Sequence, residues 1–128
     1  KTQGKEQGWL ETPDEQLAFI TTMGDDDPNA MIQYTLKDIK KMPEMFAKLH
    51  STWLTGDMQD MADVGITPFK ADYPIIYQNL LVTPNNNWLP KIVNMLDYHP
   101  TEFILVGALH LSGPNSVLAK LKAKGYKI

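Results

Sequence analysis

An apolar run near the C-terminus constrains the fold of this chain more than any other feature of the sequence. Residues 103–111 read FILVGALHL, nine positions without an acidic or lysine side chain and with two β-branched members. The run shows no alternation between apolar and polar residues, which is typical of a β-strand covered on both faces. We therefore predict that a buried central strand crosses the fold here and delivers His110 to a loop.

The residues after the run predict a loop, a helix and a second strand. Ser112, Gly113 and Pro114 are suited to open a helix, and Gly125 is suited to end it. Residues 126–128 can return beside the first strand, which would complete a right-handed βαβ unit. The predicted fold class is α/β, with a small mixed or parallel central sheet flanked by several helices.

The chain before residue 103 is predicted to be mainly helical. Residues 9–11 form a very short strand, and Thr12, Pro13 and Glu15 then match a capping box with proline in the first turn. Apolar spacing, prolines and glycines predict helices over residues 13–23, 29–41, 43–56, 58–65, 72–81 and 88–96, with breaks at 24–27 and 99–100 and a turn over 83–87. A sheet this thin would be completed by a segment outside the chain or by a second copy.

Apolar residues at helical spacing predict stripes that face the core. They are Leu17 and Ile20 in the first helix, Ile32, Leu36 and Ile39 in the second, and Met45, Phe46, Leu49 and Trp53 in the third. Such stripes are what an amphipathic helix needs in order to pack.

Composition narrows the classes of function. The 128 residues suffice for one domain, and we predict a single domain over residues 1–128. The net charge of −3 argues against a nucleic-acid binder, and all 12 basic residues are lysine, so the planar fork with which arginine clamps phosphate is missing. Without cysteine there is no thiolate metal site. No apolar run reaches the length of a membrane span, and localisation stays open between the cytoplasm and the periplasm or another extracytoplasmic compartment.

His110 is the first candidate site residue because it lies at the C-terminal end of the predicted strand. Ligands of open α/β sheets bind beyond the carboxyl ends of the strands. Gly107 would let a ligand approach the backbone, and Gly113 would lie at a helix N-terminus whose N–H groups favour an anion. A neutral histidine here can ligate a metal or act as a general base. The alternative is a core histidine whose ring is held by hydrogen bonds.

Two further places could carry chemistry. Glu11 ends the first predicted strand beside a helix N-terminus, where a carboxylate can bind a metal, activate water or simply help to cap the helix. Asn85, Asn86 and Asn87 offer amide donors and acceptors for a ligand, although asparagine also favours turns and caps. No second histidine stands at zinc-site spacing from His110, and there is no P-loop or nucleophile-elbow pattern.

Four segments of the chain occur in the order found in a known family. They are LET at residues 10–12, TWLTGD at 52–57, LLVTPNNNWLPKI at 80–92 and the whole of 103–128. Together they resemble the C-terminal half of the TraB/GumN family, a superfamily that includes the Tiki-type proteases. The last segment is the most specific, since it resembles the family's closing Val-Gly-x-x-His-Leu-x-Gly block. The resemblance implies a mixed central sheet with flanking helices and a site built from two Gly-x-x-His motifs and acidic residues.

The resemblance also implies roles for individual residues. His110 and Gly107 would be the histidine and glycine of the second Gly-x-x-His motif, Glu11 the acidic site residue and Asn85 a site asparagine. Tiki-type members are described as proteases that use a divalent transition metal such as manganese or cobalt, so His110 and Glu11 would be metal ligands. The first Gly-x-x-His motif is absent from this chain, and Pro84 stands where the family has arginine.

These implications predict the C-terminal part of a metal-dependent hydrolase that acts on a peptide-like bond. The chain would be inactive by itself, and its partner would be a missing N-terminal half or a second copy in a homodimer. The alternatives are a non-catalytic module that binds a peptide or a saccharide, which Pro84 favours, and an assembly domain.

Overall fold

A computed structural model of the chain describes residues 4–21, 28–98 and 101–128, and this part of the chain is built from helices. The α-helices are α1 (Pro13–Thr21), α2 (Pro28–Asp38), α3 (Met42–Thr55), α4 (Met58–Gly65), α5 (Thr67–Asp72), α6 (Pro74–Tyr77), α7 (Thr83–Tyr98) and α8 (Val117–Ala123). A π-helical turn, Gln78–Val82, joins α6 to α7, and a 3-10 turn, Ala108–Leu111, precedes α8. Every helix among these residues is too short or too polar to cross a membrane.

The predicted α/β fold with a central sheet is wrong, because no strand occurs in the described residues. Residues 101–107 have no regular secondary structure, and Phe103 and Leu105 are 89% and 82% exposed, so the apolar run is not covered on both faces. Residues 9–11 and 126–128 likewise form no strand. An apolar run can favour a strand, but a strand also needs a neighbouring backbone to pair with. The described part of the chain offers no such neighbour.

The predicted capping box and the predicted glycine stop are confirmed. The backbone N–H of Thr12 donates to Glu15 Oε2 at 2.7 Å, and the N–H of Glu15 donates back to Thr12 Oγ1 at 3.2 Å. Gly56 ends α3 with a φ of 72°, a conformation that glycine adopts without strain. Asp57 then caps α4 by accepting hydrogen bonds from two backbone N–H groups of its first turn. Each of these signals depends only on residues within one helical turn.

The turn predicted over residues 83–87 is wrong, since these residues begin α7. Pro84 is the second residue of that helix, a position whose backbone dihedral suits proline. Proline has no N–H that could donate to the carbonyl of residue 80. The helix is wider just before this position and forms the π-helical turn, in which the N–H of Thr83 donates to the carbonyl of Gln78. The helical stretch is therefore continuous from α6 to α7.

Two clusters of buried side chains form the core of the described residues. The first core cluster joins α4 to α6 and the π-helical turn through Ala62, Ile66, Tyr77, Leu81 and Val82. The second core cluster joins α7 to α8 through Trp88, Ile92, Val117 and Leu121. The 3-10 turn lies between them, because Leu109 packs against the first cluster and Leu111 against the second.

The core-facing stripes predicted for the first three helices are largely exposed. Leu49 is half-buried. The exposed members are Leu17, Ile32, Leu36, Ile39, Met45, Phe46 and Trp53. Helical spacing aligns apolar side chains on one face, but it does not supply the surface that would cover them. The breaks predicted at residues 24–27 and 99–100 and the side chain of Ile20 fall outside the described part of the chain.

Candidate functional site

His110 lies in the 3-10 turn that links the two core clusters. Its neighbours Leu109 and Leu111 pack against different clusters, so the chain is anchored on both sides of the histidine. The backbone N–H of His110 donates to the carbonyl of Gly107 at 2.9 Å, which closes the turn. The side chain of His110 is half-buried. Tertiary packing on both flanks, rather than the end of a strand, therefore sets its position.

Residues of α7 hold the imidazole ring of His110 on two sides. Trp88 packs against the ring, with the two centroids 4.5 Å apart and the planes inclined at 39°. The Oδ1 atom of Asn85 lies 2.8 Å from Nδ1 of His110. Asn85 and Trp88 are three residues apart and therefore share one face of α7. Burial lowers the pKa of His110 below its ordinary value, so the ring is neutral near neutral pH.

A cavity of about 480 Å³ lies beside the His110 ring. Its volume is in the range of small-molecule sites. The polar side chains in its wall are those of Glu11, Gln16 and His110, and Gly107 also contributes. The other lining residues are apolar, namely Leu49, Trp53, Met61, Phe69, Leu80, Leu81, Pro84, Ala108 and Leu109. The wall can therefore hold an apolar group while a few polar atoms fix its orientation.

Glu11 reaches the same cavity because the residues on both sides of it are anchored. Leu10 packs against the second core cluster, and its carbonyl accepts a hydrogen bond from Lys91 Nζ at 2.6 Å. Thr12, on the other side, belongs to the capping box of α1. The structure thus brings three of the residues predicted from sequence, Glu11, Gly107 and His110, to one cavity.

The other two residues predicted to bind a ligand do not line this cavity. Asn85 is only 1% exposed, and it contacts the His110 ring instead. Gly113 has a φ of 77° in the loop before α8, where a side chain would strain the backbone. Ser116, rather than Gly113, caps α8. Ligand binding by Asn85 and by Gly113 stays a prediction.

The comparison with protein families gives a match over all residues of the given sequence. The model of the TraB/PrgY/gumN family matches residues 1–128. This chain belongs to the TraB/PrgY/gumN family. The family resemblance of the four sequence segments is therefore confirmed. No curated protein and no solved structure matches the chain. Family membership by itself assigns no reaction, so the activity of this TraB/PrgY/gumN protein has to be argued from its cavity.

The metal site that the family resemblance implies is incomplete in the part of the chain described. Transition-metal sites in proteins usually have three or more protein ligands. Residues 4–21, 28–98 and 101–128 contain no group of three or more histidine, cysteine, aspartate or glutamate side chains that could hold a metal ion. Glu11 and His110 line one cavity but supply only two donors. They do not fit a complete site, and binding of manganese or cobalt stays a prediction.

The sequence-based interpretation of this TraB/PrgY/gumN chain missed the residue that packs on the His110 ring. Trp88 and Asn85 stand at helical i, i+3 spacing, a signal that becomes readable once residues 83–87 are interpreted as helix. Trp53 differs from its prediction as well. It is an exposed residue at the cavity wall, stacked on His50 with ring centroids 6.2 Å apart, and not a core residue.

Proposed function

We propose that this chain supplies one side of a hydrolytic site, at which His110 activates water against a peptide-like bond next to an apolar side chain. The observation that supports this proposal is that His110 and Glu11 line one cavity whose remaining wall is mainly apolar. An apolar side chain would fill the cavity and hold the neighbouring bond beside the imidazole ring.

A neutral imidazole is the form of His110 that this role requires. Burial lowers the pKa of His110, so the basic form of the ring predominates at neutral pH. The ring would take a proton from a water molecule as that water attacks the carbonyl carbon, and it would return the proton to the leaving amine. Glu11 lines the same cavity and would be a second polar group beside the bound substrate.

The substrate class can be tested with three fluorescent, internally quenched peptides that differ only in a central leucine, lysine or aspartate. We expect the leucine peptide to bind at least about tenfold more tightly, because burial of a leucine side chain contributes about 1.5–3 kcal/mol. Fluorescence anisotropy measures binding, and loss of quenching measures cleavage. Each assay is run with and without manganese or cobalt, the ions that the family resemblance implies. It is also run both with this chain alone and with the partner that would supply the other side of the site.

Two leucines give a matched pair of control variants for the peptide experiment. Leu80 lines the cavity, whereas Leu54 is an exposed residue of α3 that does not. Leu80→Gln should weaken binding of the leucine peptide, and Leu54→Gln should not. Equal binding of the three peptides would contradict an apolar site. Binding without cleavage under every condition would contradict hydrolysis and would support the alternative of a non-catalytic peptide-binding module.

Exposed apolar side chains next to the cavity favour assembly as a second candidate function. Phe103 and Leu105 are 89% and 82% exposed and lie two to four residues before Gly107, which lines the cavity. Large apolar side chains so exposed and so close together are typical of a contact surface. We propose a second copy of this chain as the partner, which would form a homodimer.

Light scattering at increasing protein concentration tests the homodimer. We expect the double variant Phe103→Ser, Leu105→Ser to dimerise at least about tenfold more weakly, because each lost apolar contact contributes more than 1 kcal/mol. Leu54→Ser is the matched control, since Leu54 is an exposed leucine on α3. A wild-type chain that remains monomeric at high concentration would contradict this candidate.

A further inference from the structure

Asn85 carries one of the two largest side chains that are fully buried in the described part of the chain. Its exposed fraction is 1%, and it does not line the cavity. A primary amide has two donor hydrogens and an accepting oxygen, and burial without partners for them is costly. The partners of Asn85 therefore decide which way its amide points.

The orientation of the Asn85 amide follows from its contact with the backbone carbonyl of Asn115. Nδ2 of Asn85 donates to the backbone carbonyl of Asn115 at 2.9 Å. A carbonyl can only accept a hydrogen bond, so the NH₂ group must face Asn115 and the oxygen must face away from it. Asn115 is itself held, because its Nδ2 donates to the hydroxyl of Tyr77 at 3.0 Å. The reversed amide would set an oxygen against a carbonyl oxygen, which is repulsive.

The fixed amide constrains the hydrogen position on His110. Oδ1 of Asn85 lies 2.8 Å from Nδ1 of His110, and an amide oxygen can only accept. A neutral imidazole carries one hydrogen, which must then sit on Nδ1. The other nitrogen, Nε2, is left with a free lone pair. Isolated histidine favours the opposite tautomer in water, so the protein has to impose this one.

We propose that Asn85 is a positioning residue that holds neutral His110 in the Nδ1–H tautomer and leaves Nε2 as its free acceptor. Trp88 packs on the ring at a centroid distance of 4.5 Å and limits its rotation. Gly107 borders the other edge of the ring, where a Cβ atom would lie in ordinary van der Waals contact, 3.5 Å from Cδ2 of His110. The buried amide therefore specifies which ring nitrogen can accept a proton or bind a ligand.

The assignment goes beyond the proposed hydrolysis and does not rest on it. A lone pair on Nε2 is equally required for a general base, for a metal ligand and for an acceptor in a simple binding site. If hydrolysis were disproved, the tautomer of His110 would still be measurable in the free protein. An experiment can therefore contradict the proposed hydrolysis without contradicting the tautomer of His110, and the reverse also holds.

The tautomer is read from ¹⁵N NMR spectra of protein labelled at its histidine ring nitrogens. The His110 signals are assigned by their loss in His110→Gln, and spectra are recorded at a pH where the rings are neutral. We expect Nε2 of the wild type to show the shift of an unprotonated ring nitrogen and Nδ1 that of a protonated one. Asn85→Ala should reverse the assignment for most molecules, because it removes the acceptor for Nδ1–H.

Two variants separate positioning from a merely structural role. Asn85→Asp keeps an oxygen for Nδ1–H and should keep the wild-type tautomer, although its second oxygen would face the Asn115 carbonyl. Its spectra are recorded at higher pH, because a carboxylate beside the ring raises the pKa of His110. Asn115→Ala keeps that carbonyl but loses the bond to Tyr77, and it should also leave the tautomer unchanged. A wild-type ring protonated on Nε2 would overturn the assignment, and so would an unchanged tautomer in Asn85→Ala. Should Asn85→Ala fail to fold, the wild-type spectrum and Asn85→Asp decide the question.

Discussion

Replacement of Trp88 by alanine is expected to lower the free energy of unfolding by about 3–5 kcal/mol, the usual cost of removing a buried tryptophan side chain. Trp88 is 5% exposed and packs with Ile92, Val117 and Leu121 in the second core cluster. Alanine would leave a cavity there and would remove the ring that supports His110. The variant therefore weakens the core and the candidate site together.

Urea denaturation followed by circular dichroism measures this loss, and Trp88→Phe is the matched control. Phenylalanine keeps most of the ring packing. It also gives up no hydrogen bond, because the indole Nε1 of Trp88 is buried without a hydrogen-bond partner among the described residues. We expect Trp88→Phe to lose less than half as much stability as Trp88→Ala. An alanine variant that loses less than about 1 kcal/mol would contradict the packing of Trp88 against α8.

Helix ends could be predicted from the sequence because their causes are local. The reciprocal bonds of Thr12 and Glu15 and the left-handed Gly56 involve residues at most a few positions apart. The bounds of α4, Met58–Gly65, match the predicted helix for the same reason. The turn predicted over residues 83–87 failed because proline was interpreted as a break, whereas the first turn of a helix tolerates it.

The predicted sheet failed because pairing between strands is not a local property. Residues 103–106 are apolar enough for a buried strand, yet a strand exists only where another backbone satisfies its N–H and C=O groups. The prediction that the apolar stripes of α2 and α3 face the core is wrong for the same reason, since these stripes are largely exposed. In each case the sequence identifies an apolar face, and the presence or absence of a covering surface depends on distant residues.

The candidate site was predictable in part. Glu11, Gly107 and His110 were selected from their places near the ends of predicted strands and from the family resemblance, and the structure brings them to one cavity. The role of Asn85 was beyond the sequence, because it depends on a contact between residues 25 positions apart, whose geometry is set by the packing of α7 against the 3-10 turn. A family motif identifies residues, whereas the hydrogen bonds that orient those residues are visible only in the three-dimensional structure.

His110→Gln is expected to reduce cleavage of the leucine peptide by about 10²–10⁴-fold, the usual contribution of a general base. Glutamine is polar and of similar length, but it cannot accept a proton at neutral pH. His50→Gln is the matched control, because His50 is an exposed histidine of α3 that does not line the cavity. Its rate should stay within about twofold of the wild type, and circular dichroism should show that both variants remain folded. Equal rates for His110→Gln and the wild type would contradict the catalytic role of His110.

The pH dependence of the same reaction gives an independent test of the base. Burial lowers the pKa of His110 below the ordinary value of 6.5, so the ring of the folded protein stays neutral to a lower pH than a free histidine does. This general base works only in its neutral form, and the midpoint of the fall in cleavage rate at acidic pH should therefore lie below pH 6.5. If the His110 ring were surrounded by solvent, the midpoint of the pH dependence of cleavage would instead lie near the ordinary pKa of histidine. A midpoint above 6.5 would contradict the burial of the ring in the wall of an apolar cavity, since burial favours the uncharged form.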